Sequence, residues 1–314
     1  MVKLISRSAF DRAAEFMQSS ARPLEAALFN FHFGGGNRNQ VLAELVPYQN
    51  SDGGFGRGLE PDLQTEASSV IATVTALGIM RQVGGDEDTP GLPASLAYLV
   101  GAYDVERERW PIIPPEVEDA PHAPWWSFED SDRNFRGFWA NPRASVIAYL
   151  QQFHRLAPSP FFEVARQAAI DDLMRYSQHM EMHDLLCFVD LLETKELPRE
   201  SHENILDKLR RALPQSVETD PGQWGNYGLR PIDVVRSPES PLSGVIDQGT
   251  LDKNLDYEIA LQEPDGSWRP NWSWDFVDPV AWSAAEKAWR GILTLRKIKT
   301  LHAYGRVEAR SPVE

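Results

Sequence analysis

A seven-residue unit that occurs twice constrains this chain more than any other feature. Gln49-Asn50-Ser51-Asp52-Gly53-Gly54-Phe55 and Gln262-Glu263-Pro264-Asp265-Gly266-Ser267-Trp268 both read Q-x-x-D-G-(G/S)-aromatic, each directly after an apolar-periodic stretch. A weaker relative is Asp220-Pro221-Gly222-Gln223-Trp224-Gly225. The chemistry is local. Asp-Gly makes a tight turn with glycine at positive φ, the Gln amide caps backbone groups freed at the helix end, and the aromatic ring folds back against the helix it has left. A turn of this kind repeated between helices predicts helical hairpins stacked around a common core.

Helical periodicity runs through the rest of the chain. Between Thr65 and Arg81, Val70, Ile71, Val74 and Leu77 form one apolar stripe that ends near Gly84-Gly85. Asn141-Pro142 reads as N-cap and first helical residue ahead of Val146, Ile147, Leu150 and Phe153. Ser159-Pro160 opens the stretch 161–180, and Asp278-Pro279 opens a long one carrying Ala281, Ala284, Ala285, Ala288, Ile292 and Leu295. Similar stretches near 7–19, 21–33, 38–49, 91–104, 181–193, 200–213 and 249–262 bring the expectation to roughly eleven helices. No segment reads as a strand. Two long Pro- and aromatic-rich loops, 105–140 and 215–247, are expected to be ordered by their tryptophans. With no Gly/Ser linker, one domain spanning 1–314 is expected.

Composition excludes several classes. With 42% hydrophobic and 25% charged residues, the 314-residue chain can build a core and is too apolar to be disordered. A net charge of −15 argues against a nucleic-acid partner, which needs clustered Lys and Arg on phosphates. A single cysteine, Cys187, builds neither a disulfide framework nor a multi-cysteine zinc site. Lys3, Arg7, Asp11 and Arg12 interrupt the apolar residues that a signal peptide would keep together, and no span is long enough for a membrane helix. The expectation is a cytoplasmic protein. Unusually, nine of the ten tryptophans fall in two windows, 110–139 and 268–289.

The repeated unit resembles the QW-type repeats of the terpenoid cyclase and protein prenyltransferase superfamily. That resemblance implies an all-α fold, the (α/α)6 toroid built from helical hairpins. Gly58 to Asp62 (GLEPD), Ser68 to Leu77 (SSVIATVTAL) and Asp265 to Trp274 (DGSWRPNWSW) look like signatures of stand-alone bacterial members. The catalytic motifs of the superfamily do not carry over. There is no D-x-D-D for alkene protonation, the nearest acidic run being Glu129-Asp130-Ser131-Asp132. Leu185 stands two residues before Cys187, where the prenyltransferase zinc site needs Asp. The resemblance therefore implies fold more than activity.

In such toroids the site lies at one end of a central funnel lined by loops, and loop carboxylates are the natural acids. Glu60 and Asp62 are expected just ahead of the Thr65 helix, where its dipole holds a charge, or Asp62 simply caps that helix. Asp275, between Trp274 and Phe276, is read either as a bonded structural residue or, if partly desolvated by those rings, as suited to general acid work. Asp278 reads as an N-cap, and Asp52 and Asp265 as turn residues. His122 beside Trp125 and Trp126 is a candidate ligand contact. Trp125, Trp126, Trp139, Trp272, Trp274 and Trp282 can wall a cavity through cation–π or stacking contacts or pack the loops in place. Trp224 and Trp268 read as structural. His179, His183 and Cys187 lack a matching carboxylate and make a poor metal set. No phosphate-binding, dinucleotide or G-x-S-x-G motif occurs, Gly34 to Gly36 reads as a flexible turn, and neither cofactor nor metal is called for.

Three functional readings follow. The favoured one is a cyclase- or transferase-like enzyme that protonates an isoprenoid or other apolar substrate. The second is a carbohydrate-active toroid with a carboxylate pair and Trp platforms. The third is a toroid that binds a ligand or protein without chemistry. In each, the expected partner is a small apolar or sugar-like ligand in the funnel, or a protein surface.

Overall fold

The computed structural model describes residues 2–135, 141–156, 160–176, 179–195 and 197–309. Its α-helices, in chain order, are α1 (Arg7–Ser19), α2 (Pro23–Phe29), α3 (Arg38–Leu45), α4 (Val70–Gln82), α5 (Leu92–Gly101), α6 (Ser131–Asn134), α7 (Arg143–Gln152), α8 (Pro160–Arg175), α9 (Met182–Leu192), α10 (Arg199–Ser216), α11 (Pro231–Val234), α12 (Gln248–Ala260) and α13 (Pro279–Ala303). Among the described residues there is no strand, only isolated bridges. The fold is all-α, as the periodicity predicts. None of these helices is long and apolar enough to cross a membrane. The chain divides into two compact units: Leu42–Ser216, and Met1–Val41 together with Val217–Glu314.

In the central unit α7 packs against α9, α8 and α4. Every residue from Ala144 to Gln151 is buried, so this helix has no solvent face. Two start signals resolve differently from their reading. Helix α4 begins at Val70 rather than Thr65, because the Ser69 hydroxyl accepts from the Ala72 N–H at 3.1 Å and caps it there. Pro142 follows a cis peptide bond and itself occupies the N-cap, with α7 starting at Arg143. The Asn141 N–H is instead committed to the fully buried Asp184, donating to Oδ1 at 2.6 Å.

In the unit that joins both chain ends, α13 is the backbone of the packing and touches α1 and α2. Asp278 caps it as expected, accepting from the Val280 and Ala281 N–H groups at 3.0 and 2.9 Å. Helix α2 is shorter than its apolar run and passes into a π-helical turn, Asn30–Gly34. A buried, charge-balanced network ties α11, α12 and α13. Glu258 is ion-paired with Arg230 at 2.9 Å and Lys297 at 3.1 Å, and Lys297 reaches Asp233 at 3.3 Å. Removing one member would leave a buried charge without its partner, at a cost of roughly 3–5 kcal/mol.

The repeated unit takes one geometry in both places. The Gln49 amide donates to the carbonyls of Gly53 and Gly91, each at 3.0 Å, and Gln262 donates to those of Gly266 at 2.9 Å and Ala9 at 3.0 Å. Gly53 and Gly266 both sit at φ 89°. Asp52 accepts from the Gly54 N–H at 2.9 Å and Asp265 from the Ser267 N–H at 3.1 Å. The aromatic residue closes the unit in the same way: the Phe55 N–H donates to Thr73 Oγ1 and the Trp268 N–H to Thr294 Oγ1, both at 3.0 Å. Trp268 and Trp224 are buried, their indole N–H groups donating to the Glu258 and Glu218 carbonyls. They are structural, as read.

Candidate functional site

Glu60 and Asp62 lie in a stretch between the first repeat and α4 that is laced to the segment 112–123. The Gln64 N–H donates to Pro121 O at 3.0 Å, the Ala123 N–H to Asp62 O at 2.9 Å, and the Ile71 N–H to Ile112 O at 3.3 Å. Leu63 and His122 form a single antiparallel bridge. Arg57 enters this stretch at φ 55°, a left-handed conformation that costs a non-glycine residue of order 1 kcal/mol or more. It is held by Arg57 N–H to Thr65 O at 2.8 Å and by Nε to Asn50 Oδ1 at 2.9 Å. The carboxylates therefore stand on a hydrogen-bonded loop, several residues before α4. The helix-dipole and N-cap readings are both corrected, because Ser69 takes the cap.

This lacing brings the first set of sequence candidates together. Asp62 is only 3% exposed, Glu60 and His122 are half-buried, and Trp125 is at the surface. Leu63, Ile112, Ile113 and Val117 form an apolar floor on which Ile71, Trp126 and Phe135 pack. The Trp126 indole N–H is buried and has no hydrogen-bond partner among the described residues. A buried donor left unmade costs about 1–3 kcal/mol, so an incoming acceptor would be favoured there.

His122 carries the second polar feature. Its Nδ1 lies 2.8 Å from Ala120 O, and since a carbonyl only accepts, Nδ1 bears the proton. Nε2 then faces Glu118 Oε2 at 3.6 Å. Glu118 accepts from the Glu129 N–H and the Ser127 hydroxyl, each at 3.0 Å. The Glu129 N–H above all, with the Ser127 hydroxyl, holds this carboxyl below the usual range against partial desolvation. Glu118 was not among the sequence candidates. Its only signal is the spacing of four residues to His122 inside a Pro-rich loop, which folds as a 3₁₀ turn at Pro115–Asp119.

The second set lies in the other unit and is built differently. Asp275 is exposed, its side chain bonded among the described residues to Ser273, two positions back (Ser273 Oγ to Oδ1, 2.6 Å), and Phe276 is 76% exposed. The desolvation that acid work at Asp275 would need is absent because Phe276 turns to solvent and Trp274 turns inward. Trp274 is fully buried and meets the buried Trp282 edge-on at 5.9 Å, so these two rings pack the core rather than wall a cavity. Trp272 is half-buried and forms an edge-to-face chain with Tyr227 at 5.9 Å and Trp289 at 5.0 Å. The Trp289 indole N–H is buried without a partner among the described residues. Trp139 lies outside the described residues.

Two clefts of about 390 Å³ also open on the central unit. One is lined by Arg81, Gly84, Gly85, Gln152, Glu193 and Lys195, the other by Asp52, Ala97, Tyr98, Gly101 and Ala102. Neither includes a sequence candidate. Burial pushes the Cys187 thiol up, which makes it inert as a nucleophile. His183 bonds Glu181 Oε1 at 2.7 Å and His179 bonds Gln215 O at 3.0 Å, and no cluster of metal-ligating side chains occurs among the described residues. Comparison with known proteins finds no matching family model, no similar curated sequence and no similar solved structure.

Proposed function

We propose that this chain is a cyclase-like α/α toroid protein whose working site is the wall made by Glu60, Asp62, His122 and Trp126. The toroid reading is supported by the register of the two repeats. In the central unit the helix receiving the turn is α5, with Gln49 on Gly91 O and Gly53 against Ala94. In the other unit it is α1, with Gln262 on Ala9 O and Gly266 against Arg12. Both contacts fall three residues apart on the receiving helix. The first helix of the chain thus plays at the second repeat the part that α5 plays at the first.

The activity we infer is acid catalysis on an isoprenoid or other apolar substrate, with a carboxylic acid of the Glu60-Pro61-Asp62 turn as proton donor. One observation carries it: a buried carboxylate, Asp62, tied by its backbone to the His122–Trp126 loop over an apolar floor. The aromatic face of Trp126 would stabilise positive charge by about 0.5–2 kcal/mol. Linear prenyl alcohols, prenyl diphosphates and squalene, incubated with and without magnesium and followed by mass analysis, test the reading. Conversion lost in Asp62→Asn and Glu60→Gln is expected. Unchanged substrate across all chain lengths overturns it.

A sugar-binding reading rests on a separate observation, the chain of exposed Tyr227 and half-buried Trp272 and Trp289, in which the Trp289 indole N–H has no partner among the described residues. Tryptophan fluorescence titrated with oligosaccharides checks it. A saturable change abolished by Trp272→Ala supports it, and a flat titration removes it.

A further inference from the structure

The last two turns of α13 carry Arg296, Lys299 and His302, spaced by three residues and therefore on one side of the helix. Two hydrogen bonds fix what runs alongside: Lys297 Nζ to Asp233 Oδ1 at 3.3 Å and the Tyr304 hydroxyl to Val235 O at 2.9 Å. They place the segment bearing Arg236 next to these turns. The π-helical turn Asn30–Gly34 packs there too, the Phe33 ring meeting His302 edge-on at 5.5 Å. His32, Arg236, Arg296, Lys299 and His302 are thereby gathered at one end of α13. Single π turns inside helices are frequent at functional sites.

In a chain of net charge −15 a cation normally finds a carboxylate. Lys299 is half-buried and makes neither an ion pair nor a hydrogen bond among the described residues. Arg236 Nε is spent on a neutral acceptor, the Asp233 carbonyl at 2.9 Å. Burial first, then Arg236 and Arg296, lower the Lys299 ammonium to about 8, and burial followed by Lys299 lowers His32 to about 4, leaving that ring neutral. Glu239 and Asp252 act on Tyr304 beyond the helix end, and Asp252 is taken by Arg306 at 2.7 Å. A helix C-terminus favours cations by only about 0.3–1 kcal/mol and would hold the ammonium up. Here burial, with Arg236 and Arg296 as the neighbouring charges, pushes it down instead.

We propose that Lys299, Arg236 and Arg296 form a binding site for a polyvalent oxyanion of the phosphate class. Two guanidinium forks and one ammonium match several oxygens on one centre better than a single carboxylate. The site goes beyond the acid-catalysis reading, and its test involves no turnover.

Calorimetric titration of the full chain with inorganic phosphate and with pyrophosphate, at constant ionic strength near neutral pH, tests it. One-to-one pyrophosphate binding is expected, weakened roughly tenfold or more by Lys299→Met or by Arg236→Gln, since a charge-assisted contact is worth about 1.5–3 kcal/mol. Lys299→Met relieves repulsion, so its melting temperature without anion should equal or exceed that of the parent, which separates lost binding from lost folding. Co-sedimentation with phosphatidylcholine vesicles carrying phosphatidic acid distinguishes the source of the phosphate: binding to vesicles alone, lost in both variants, assigns the site to a lipid headgroup. Absence of saturable binding in both formats, or binding indifferent to both substitutions, overturns the proposal.

Discussion

The two repeated turns have nearly superimposable chemistry and opposite surroundings. Each uses a Gln amide across two carbonyls, an Asp on the next turn N–H, a positive-φ glycine against a helix backbone and an aromatic N–H on a buried Thr. What differs is the stretch between the aromatic residue and that threonine. After Phe55 it folds onto the segment 112–123 and buries Asp62. After Trp268 it leaves Asp275, Phe276 and Val277 in solvent. The turn is scaffold, and the spacer decides whether a carboxylate becomes a buried acid or a solvated one.

The comparison is broken most forcefully at the glycines. A Cβ on Gly53 would lie 2.4 Å from Ala94 O, and on Gly266 2.3 Å from the Arg12 carbonyl carbon, both against backbone and both at φ 89°. Left-handed strain and overpacking together should cost roughly 2–5 kcal/mol in Gly53→Ala and likewise in Gly266→Ala. Urea midpoints measure this. A tolerated alanine at one site only would mean that the two turns are not mechanically equivalent. Next in size are Thr73→Val and Thr294→Val, which remove the acceptor for a buried N–H without changing shape. Each should cost about 1–3 kcal/mol, with faster amide exchange at Phe55 and Trp268 respectively.

How far these features were legible in the sequence follows from the range of the forces involved. The turns were legible because Gln, Asp, Gly and an aromatic ring act within seven residues. Helix α13 was legible because Asp278 and Pro279 sit together at its start. The start of α4 was not, since Asp62 and Ser69 each carry a side chain that can cap, and contacts with other segments, Ser69 N–H to Phe55 O and Ile71 N–H to Ile112 O, accompany the second. The partnership of Asp62 with His122 depends on bonds between segments about sixty residues apart, which no local pattern reports. Asp275 misled because Trp274 and Phe276, its neighbours in sequence, point to opposite environments, one into the core and one into water.

A smaller difference separates the turns in acid. Asp265 is bonded by Ser267 and ion-paired to Arg290, whereas Asp52 accepts from the Ser68 hydroxyl at 2.8 Å. Against partial desolvation, the Ser267 bonds and the Arg290 guanidinium hold the Asp265 carboxyl below the usual range. A carboxyl lowered on folding stabilises the folded state above its unfolded value near 4, and that contribution is lost as pH falls through the folded value. Amide protection at Gly266 should therefore weaken as the pH drops below about 4, and Asp265→Asn should flatten that dependence. Half exposure keeps the effect small and sensitive to salt. Unchanged protection at Gly266 down to the acid limit would remove Arg290 from the account of this turn.

The smallest expected effect is the sharpest test of the spacer argument. Asp275→Asn removes a charge that, among the described residues, bonds to Ser273 two positions back, on a surface where substitutions usually move stability by less than about 0.5 kcal/mol. Asp62→Asn keeps the size of a side chain that is almost wholly buried and changes only its charge and one acceptor. If the spacer sets the role of its carboxylate, the first variant should melt like the parent and leave any turnover intact, while the second should lose turnover. Equal loss in both would mean that burial is not what distinguishes the two carboxylates, and that the shared turn, not the spacer, governs the site.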